Sequence, residues 1–189
     1  MDRRLPTRLE TANLQLERAQ TIFADSAWRA IKSSLRELKP WLPWTVNASL
    51  EETTTFLEGA AKRWSAGTGW CFVILSEEAV AGVIELSSYD PMLASAEVGY
   101  WIRSDLAGRG FMTEAGRALL DFGWDHVGLY RISLLAAVGN VASNRVAQKL
   151  GFRLEGTARG ASRGAFERHD AHLYGLVRDD VRPPRGTIG

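Results

Sequence analysis

Ala107-Gly108-Arg109-Gly110-Phe111-Met112-Thr113-Glu114 decides how this chain folds. The stretch follows a β-rich run, Ala96-Glu97-Val98-Gly99-Tyr100-Trp101-Ile102, and leads into a segment whose Ala115, Ala118, Leu119, Phe122 and Trp124 carry the inner side of a helix. A strand, a loop with glycines two apart and a helix start form an anion trap. The loop and first-turn amides have no intrahelical partners, and the helix dipole favours negative charge there. Gly108 and Gly110 allow the backbone to approach phosphate oxygens, and Thr113 adds a hydroxyl. A pyrophosphate fits such a loop, but a Gly-x-Gly alone also fits a plain strand-to-helix turn. Two common nucleotide signatures are absent: there is no Gly-x-x-x-x-Gly-Lys-Ser/Thr, and the strand order is not that of a dinucleotide fold.

Upstream, Asn13 to Arg18 alternates polar and apolar side chains and predicts a first strand. Apolar residues from Ile22 to Leu38 recur at helical steps until Pro40, giving one helix or two short ones. Ser49-Leu50-Glu51-Glu52 reads as a capping box for a helix ending near Gly67. Trp70 to Leu75 and Val80 to Leu86 form a hairpin, and Gly99 inside the next strand suggests a bulge or a close backbone approach. Downstream come a strand at Arg131 to Val138, a helix at Asn140 to Leu150, and strand-like runs at Phe152 to Leu154 and His172 to Val177. No repeat, low-complexity block or linker interrupts the chain. The expectation is one α+β domain over residues 1–189, with its core at about 9–177 and a frayed tail at 178–189.

Composition narrows the function. The 189 residues are 46% hydrophobic and can bury a core without staples. Lys and Arg number 23 against 22 Asp and Glu, so no global basic field exists to hold nucleic acid. The lone Cys71 excludes a disulfide framework within the chain and a multi-cysteine metal site; no metal is expected, and a cytoplasmic location fits. Met1 to Thr7 has no apolar signal core, and no run approaches the roughly 20 residues that cross a bilayer, so no membrane association is expected.

Tyr100-Trp101-Ile102, the glycine loop, and Asn140-Val141-Ala142-Ser143-Asn144-Arg145-Val146-Ala147-Gln148-Lys149-Leu150-Gly151-Phe152 resemble the GNAT superfamily of N-acetyltransferases. The superfamily loop pattern falls on Ala107 to Met112. Ala107 stands there for the usual Arg or Gln, and Met112 for a small residue. Ala96 to Trp101, Gly110 to Ala115, Gly151 to Gly156 and Trp41-Leu42-Pro43-Trp44 are similar to the RimJ/RimL type, over about Leu9 to Val177. The resemblance implies a mixed central β-sheet split at its fourth strand to admit acyl-CoA and flanked by helices. It implies acetyl-CoA as donor and an amine as acceptor, commonly a protein N-terminal α-amine of the ribosomal-protein kind, and it allows a homodimer. A small-molecule or antibiotic amine, and a non-catalytic acyl-CoA-binding module, stay open.

The same resemblance distributes roles. Tyr100, Trp101 and Ile102 frame the acyl arm and offer a polarising backbone amide. Ala107, Gly108, Arg109, Gly110, Phe111, Met112 and Thr113 hold the pyrophosphate. Asn140, Ser143 and Asn144 complete the cofactor contacts, although Asn140 serves equally well as a helix N-cap. Many superfamily members protonate the leaving thiolate with a tyrosine seven positions after the asparagine, and here that position is Ala147. Ser143 is the candidate acid in its place. The glutamate of the RimL-like pattern is replaced by Ser162, leaving Glu97 as the candidate base, unless it is an outward-facing strand residue. His169 and His172 are further titratable candidates. Trp41 and Trp44 are candidates for an acceptor wall, whereas Trp64 lies on a helix stripe and reads as core. Arg153, Arg159, Arg163 and Arg168 offer either an anionic docking stretch or solvated charge.

Overall fold

Alternation and helical spacing build the expected elements in a computed structural model that describes residues 5–181. The proposed character of Met1 to Arg4 and of 182–189 lies outside those residues. Eight strands form one sheet in the order β1-β2-β3-β4-β5-β6-β8-β7. They are β1(Arg8–Glu10), β2(Gln15–Arg18), β3(Trp70–Ser76), β4(Ala79–Asp90), β5(Ser95–Ile102), β6(Arg131–Ala137), β7(Arg153–Arg163) and β8(Arg168–Val177). All neighbours run antiparallel except β5 and β6, which are parallel. The helices are α1(Ala24–Leu38), α2(Leu50–Ala66), α3(Phe111–Phe122), α4(Val141–Lys149) and α5(Arg178–Val181). The first residues of the expected frayed tail are instead ordered into α5, which follows β8 directly, and Asp180 pairs with Arg153. No helix among the described residues is long and apolar enough to cross a membrane.

Two apolar layers hold the sheet. Ala96 and Val98 of β5 pack with Met112, Ala115 and Leu119 of α3. Trp101 faces the other way, joining Ala27 and Ile31 of α1 and Leu57 and Ala60 of α2. This is the period-2 alternation of a strand covered on both faces. Ser49 Oγ accepts the Glu52 amide at 3.1 Å, as the capping box predicts, and Gly67 ends α2 in the left-handed region at φ 67. Trp64 is buried and meets Phe72 edge-on at 5.1 Å, a core residue as its stripe predicts.

Three local expectations are corrected. The β4–β5 ladder runs without a break through Gly99, which pairs with Glu85; the irregularity lies at Ser87/Asp90, where Ser88 adopts φ 52. A three-residue strand, β1, precedes the predicted first strand. The β7–β8 hairpin is far longer than the runs at Phe152 and His172 foretell, because Gly156, Ala158, Gly160 and Ser162 supply no apolar alternation to read.

Glycine is needed at position 82, where β4 lies against β5. A Cβ there would stand 2.2 Å from the Trp101 carbonyl oxygen. Gly82→Ala should therefore push the strands apart and destabilise the protein by about 1–3 kcal/mol, read as a lower urea midpoint. An unchanged midpoint would show that the strands yield freely at this place.

Candidate functional site

The site begins where β5 and β6 part. Only Ser95↔Arg131, Ala96↔Ile132 and Glu97↔Ser133 pair; beyond them each strand follows its other neighbour, β5 with β4 and β6 with β8. The backbone groups of Val98 to Ile102 that face β6 are thus left without a strand partner, which makes the gap a polar slot.

At the far end of β5, the chain is pinned to α1. The Ser104 amide donates to the buried Ser34 Oγ at 3.0 Å, and Ser104 Oγ donates to Glu37 at 3.0 Å. Arg103 forks onto Asp105, its hydrogen bonds holding that carboxyl below its usual range. From this fixed point the glycine loop turns into α3. Gly108 at φ 78 and Gly110 at φ 88 both occupy the left-handed region, with open space where a Cβ would sit. Among the described residues the first amide bonded back is that of Glu114, to the Gly110 carbonyl at 3.0 Å, so the amides of residues 108–113 are free to converge on an anion.

Side chains in this loop contribute less than the sequence suggests. Met112 and Thr113 are buried residues of the first turn of α3, with their amides among the unbonded ones. Glu114 turns away to the β1–β2 connection. Partial burial alone would raise its pKa, but hydrogen bonds from Thr11 and Asn13 lower it instead.

Across the gap, Asn140 caps α4: its Oδ1 accepts the Ser143 amide at 3.1 Å, and its Nδ2 has no partner among the described residues. Cap and arm ligand are therefore compatible, since they use different atoms. Asn144 is corrected from a cofactor contact to an internal hub. It is buried, and its Nδ2 donates to the carbonyls of Ala137 at 2.9 Å and Asn140 at 2.8 Å. Its Oδ1 accepts from Tyr174 Oη at 2.8 Å and meets His172 Nδ1 at 2.7 Å, which places the imidazole proton on Nδ1. His172 is thereby tied into the scaffold. Ser143 Oγ lies 2.9 Å from Tyr100 Oη, joining the two arms of the gap. Ala147 is fully buried.

The sheet face toward α1 and α2 stays uncovered over β6 and β8. Glu97 shares this face with Trp101, four residues on. Leu135 and Leu173 pair across β6 and β8 there and remain 38% and 39% exposed. The Glu97 carboxylate has no hydrogen-bond or ion-pair partner among the described residues, and desolvation by its surroundings raises its pKa although the residue is exposed. Trp44, 41% exposed, overhangs this face against Trp101 with ring centroids 6.4 Å apart. Leu42 is extended before Pro43, as a residue preceding proline is biased to be, and Pro43 opens a short 3-10 turn that carries Trp44. Trp41 meets the His169 ring at 5.4 Å and packs beside Gly139.

Sequence reasoning missed the reason Trp41 lies there. The β7–β8 hairpin clips onto the end of α1: the Ala165 amide donates to the Lys39 carbonyl at 2.7 Å, and His169 Nε2 to the Pro40 carbonyl at 2.9 Å. His169 and His172 are thus both engaged in structure. Of the basic stretch, Arg153 pairs with Asp180, and Arg131 forks onto Glu155 from β6. Two open surface depressions, of about 520 Å³ beside β1 and α3 and about 750 Å³ beside β2 and α2, lie away from the gap.

Comparison with known proteins places this geometry. The acetyltransferase (GNAT) domain family matches residues 8–153. The chain is 30% identical over 145 residues to YdaF of Bacillus subtilis (strain 168), covering 76% of this chain and 79% of that one. It is also 30% identical over 146 residues to the ribosomal-protein-serine acetyltransferase of Escherichia coli (strain K12), covering 75% and 82%. Among solved structures, RimL, a ribosomal L7/L12 α-N-protein acetyltransferase in complex with coenzyme A, is similar with a TM-score of 0.84 and 25% identity, over 92% of this chain and 97% of that one. In sequence and in the parting of its sheet, the chain belongs to the GNAT acetyltransferase family.

Proposed function

We propose that this chain transfers the acetyl group of acetyl-CoA to the N-terminal α-amine of a protein, by direct attack of the amine and without a covalent enzyme intermediate. The observation that carries the proposal is the parted pair β5 and β6, with a ring of free amides at one side and an open, aromatic-edged face at the other. The Escherichia coli relative's named activity on ribosomal-protein serine supports the acceptor class, and the coenzyme A bound to the RimL neighbour supports the donor.

The residues present fit an acyl-CoA. The free amides of 108–113 suit a pyrophosphate, and the unpaired edge of β5 together with Asn140 Nδ2 suits the amides of a pantetheine arm. Acetyl-CoA, when bound, supplies the activated acyl group. The β5 backbone near Tyr100 to Ile102 directs an amide at the acyl oxygen, where charge grows during transfer. Glu97 takes the proton of an incoming ammonium, its raised pKa bringing the carboxylate closer to the range where such a transfer is useful. Ser143 gives a proton to the departing sulfur. Trp41 and Trp44 wall the acceptor side, holding the amine against the gap at low ordering cost.

Thiol release from acetyl-CoA, measured over N-terminal peptides, lysine-containing blocked peptides and small amines, tests the acceptor. Turnover on free N-terminal peptides above all others is expected; preference for small amines would replace the acceptor, and tight binding without any turnover would make the chain a binding module. Gly110→Val should weaken acetyl-CoA binding at least about thirtyfold, roughly 2 kcal/mol, because a β-branched side chain opposes φ 88 and covers the amides. Calorimetry beside a thermal melt checks it, and full affinity in a folded variant would remove the loop from the site. For Glu97 the sign is fixed by its role: the carboxylate is the active form, so kcat/KM should climb with pH through a midpoint raised above a glutamate's ordinary value. Glu97→Gln should erase that acidic limb; a retained limb would assign it to another group.

A further inference from the structure

One hydrogen bond across the gap has no part in the roles above. Tyr100 stands on β5 three residues past its last pair with β6, and its Oη lies 2.9 Å from Ser143 Oγ and 3.3 Å from the Ser143 carbonyl oxygen. Ser143 sits in the first turn of α4, which β6 leads into. The two arms that diverge after Glu97 and Ser133 thus touch again through these two side chains, enclosing the place where the thioester belongs if the proposed function holds.

We propose that Tyr100 is a positioning residue for Ser143, its phenol donating to Ser143 Oγ so that the serine proton is turned toward the departing sulfur and the two hydroxyls act as one donor. Three observations on the surrounding groups support it. Ser143 is fixed at its backbone, since Asn140 Oδ1 holds its amide. Burial pushes the Tyr100 phenol up to about 12, against the opposing effect of the Ser143 hydrogen bond, so the phenol stays protonated and available as a donor at physiological pH. The helix itself has no second hydroxyl to offer one turn on, because position 147 is alanine.

The chemistry explains why a serine needs this partner. A serine that gives up its proton alone leaves an alkoxide, a far stronger base than a phenolate. As the C–N bond forms and the C–S bond breaks, Ser143 Oγ gives its proton to the sulfur and takes the proton of Tyr100. Solvent then returns a proton to the phenolate, in exchange for the one that the amine nitrogen loses through Glu97 or water. Counted from the neutral amine, the net change is one proton moved from nitrogen to sulfur; the earlier proton that Glu97 takes from the ammonium passes to solvent.

The test uses bound coenzyme A and needs no acceptor. Thiolate absorbance of coenzyme A complexes is titrated against desulfo-coenzyme A complexes for the wild type, Tyr100→Phe, Ser143→Ala and the double variant. The bound thiol should titrate about one unit below free coenzyme A in the wild type, and each variant should lose that depression, the double variant losing no more. With a peptide acceptor, kcat should fall about 10- to 100-fold in each single variant and little further in the double, while the dissociation constant for coenzyme A stays within about twofold. A wild-type thiol titration in Tyr100→Phe, or losses that add, would overturn the pairing. Peptides that are never acetylated, with the thiol depression intact, would overturn the acceptor and leave the pair standing; failure to bind coenzyme A would overturn both.

Discussion

The separation of β5 from β6 after three paired residues is the constraint on which the rest of the molecule depends. A parallel pair inside a sheet would ordinarily continue, because every unpaired backbone group in a partly dry slot costs free energy. Here each strand is held more firmly by its other neighbour. β6 pairs with β8 along all seven of its residues, and Asn144 ties the carbonyl of its last residue to α4. β5 follows β4 as far as Ile102, where Ser34 and Glu37 of α1 anchor what comes next. The slot is the residue of two stronger attachments, and its open backbone edge is the part of the fold a ligand can complete.

The two halves of the chain meet around that slot. The glycine loop and α4 approach from one side, while the aromatic turn after α1 reaches the other. What fixes the aromatic turn is the β7–β8 hairpin, clipped to Lys39 and Pro40 across more than a hundred residues of chain. Gly164 permits the clip, because a Cβ there would stand 2.1 Å from the Pro40 carbonyl oxygen. The outer end of the hairpin is therefore a frame for Trp41, and β7 carries no buried position, while Tyr174 and Leu176 of β8 join the core.

Polar side chains are divided between scaffold and chemistry in a way that residue type does not foretell. Asn140 and Asn144 are four residues apart on one helix start, yet Asn140 leaves its Nδ2 free while Asn144 spends both ends of its amide inside the protein. His169 and His172 are likewise engaged by carbonyl and amide oxygens. Glu97 and Tyr100 of β5 and Ser143 of α4 remain at the slot.

The sequence by itself determined the local elements and the loop chemistry. Glycines two apart between a strand and an amphipathic helix can only turn and expose amides, and the capping box, the Pro43 turn and the Trp64 stripe each follow from the nearest few residues. These are short-range effects, so they survive being read one segment at a time. Only the tertiary structure decided where β5 and β6 part, that the expected bulge lies at Ser87/Asp90 and not at Gly99, that Asn144 faces inward, and that Tyr100 reaches Ser143. Each of those depends on which distant strand competes for a backbone edge or which distant oxygen stands 3 Å from a side chain, and such competition has no signature in local spacing.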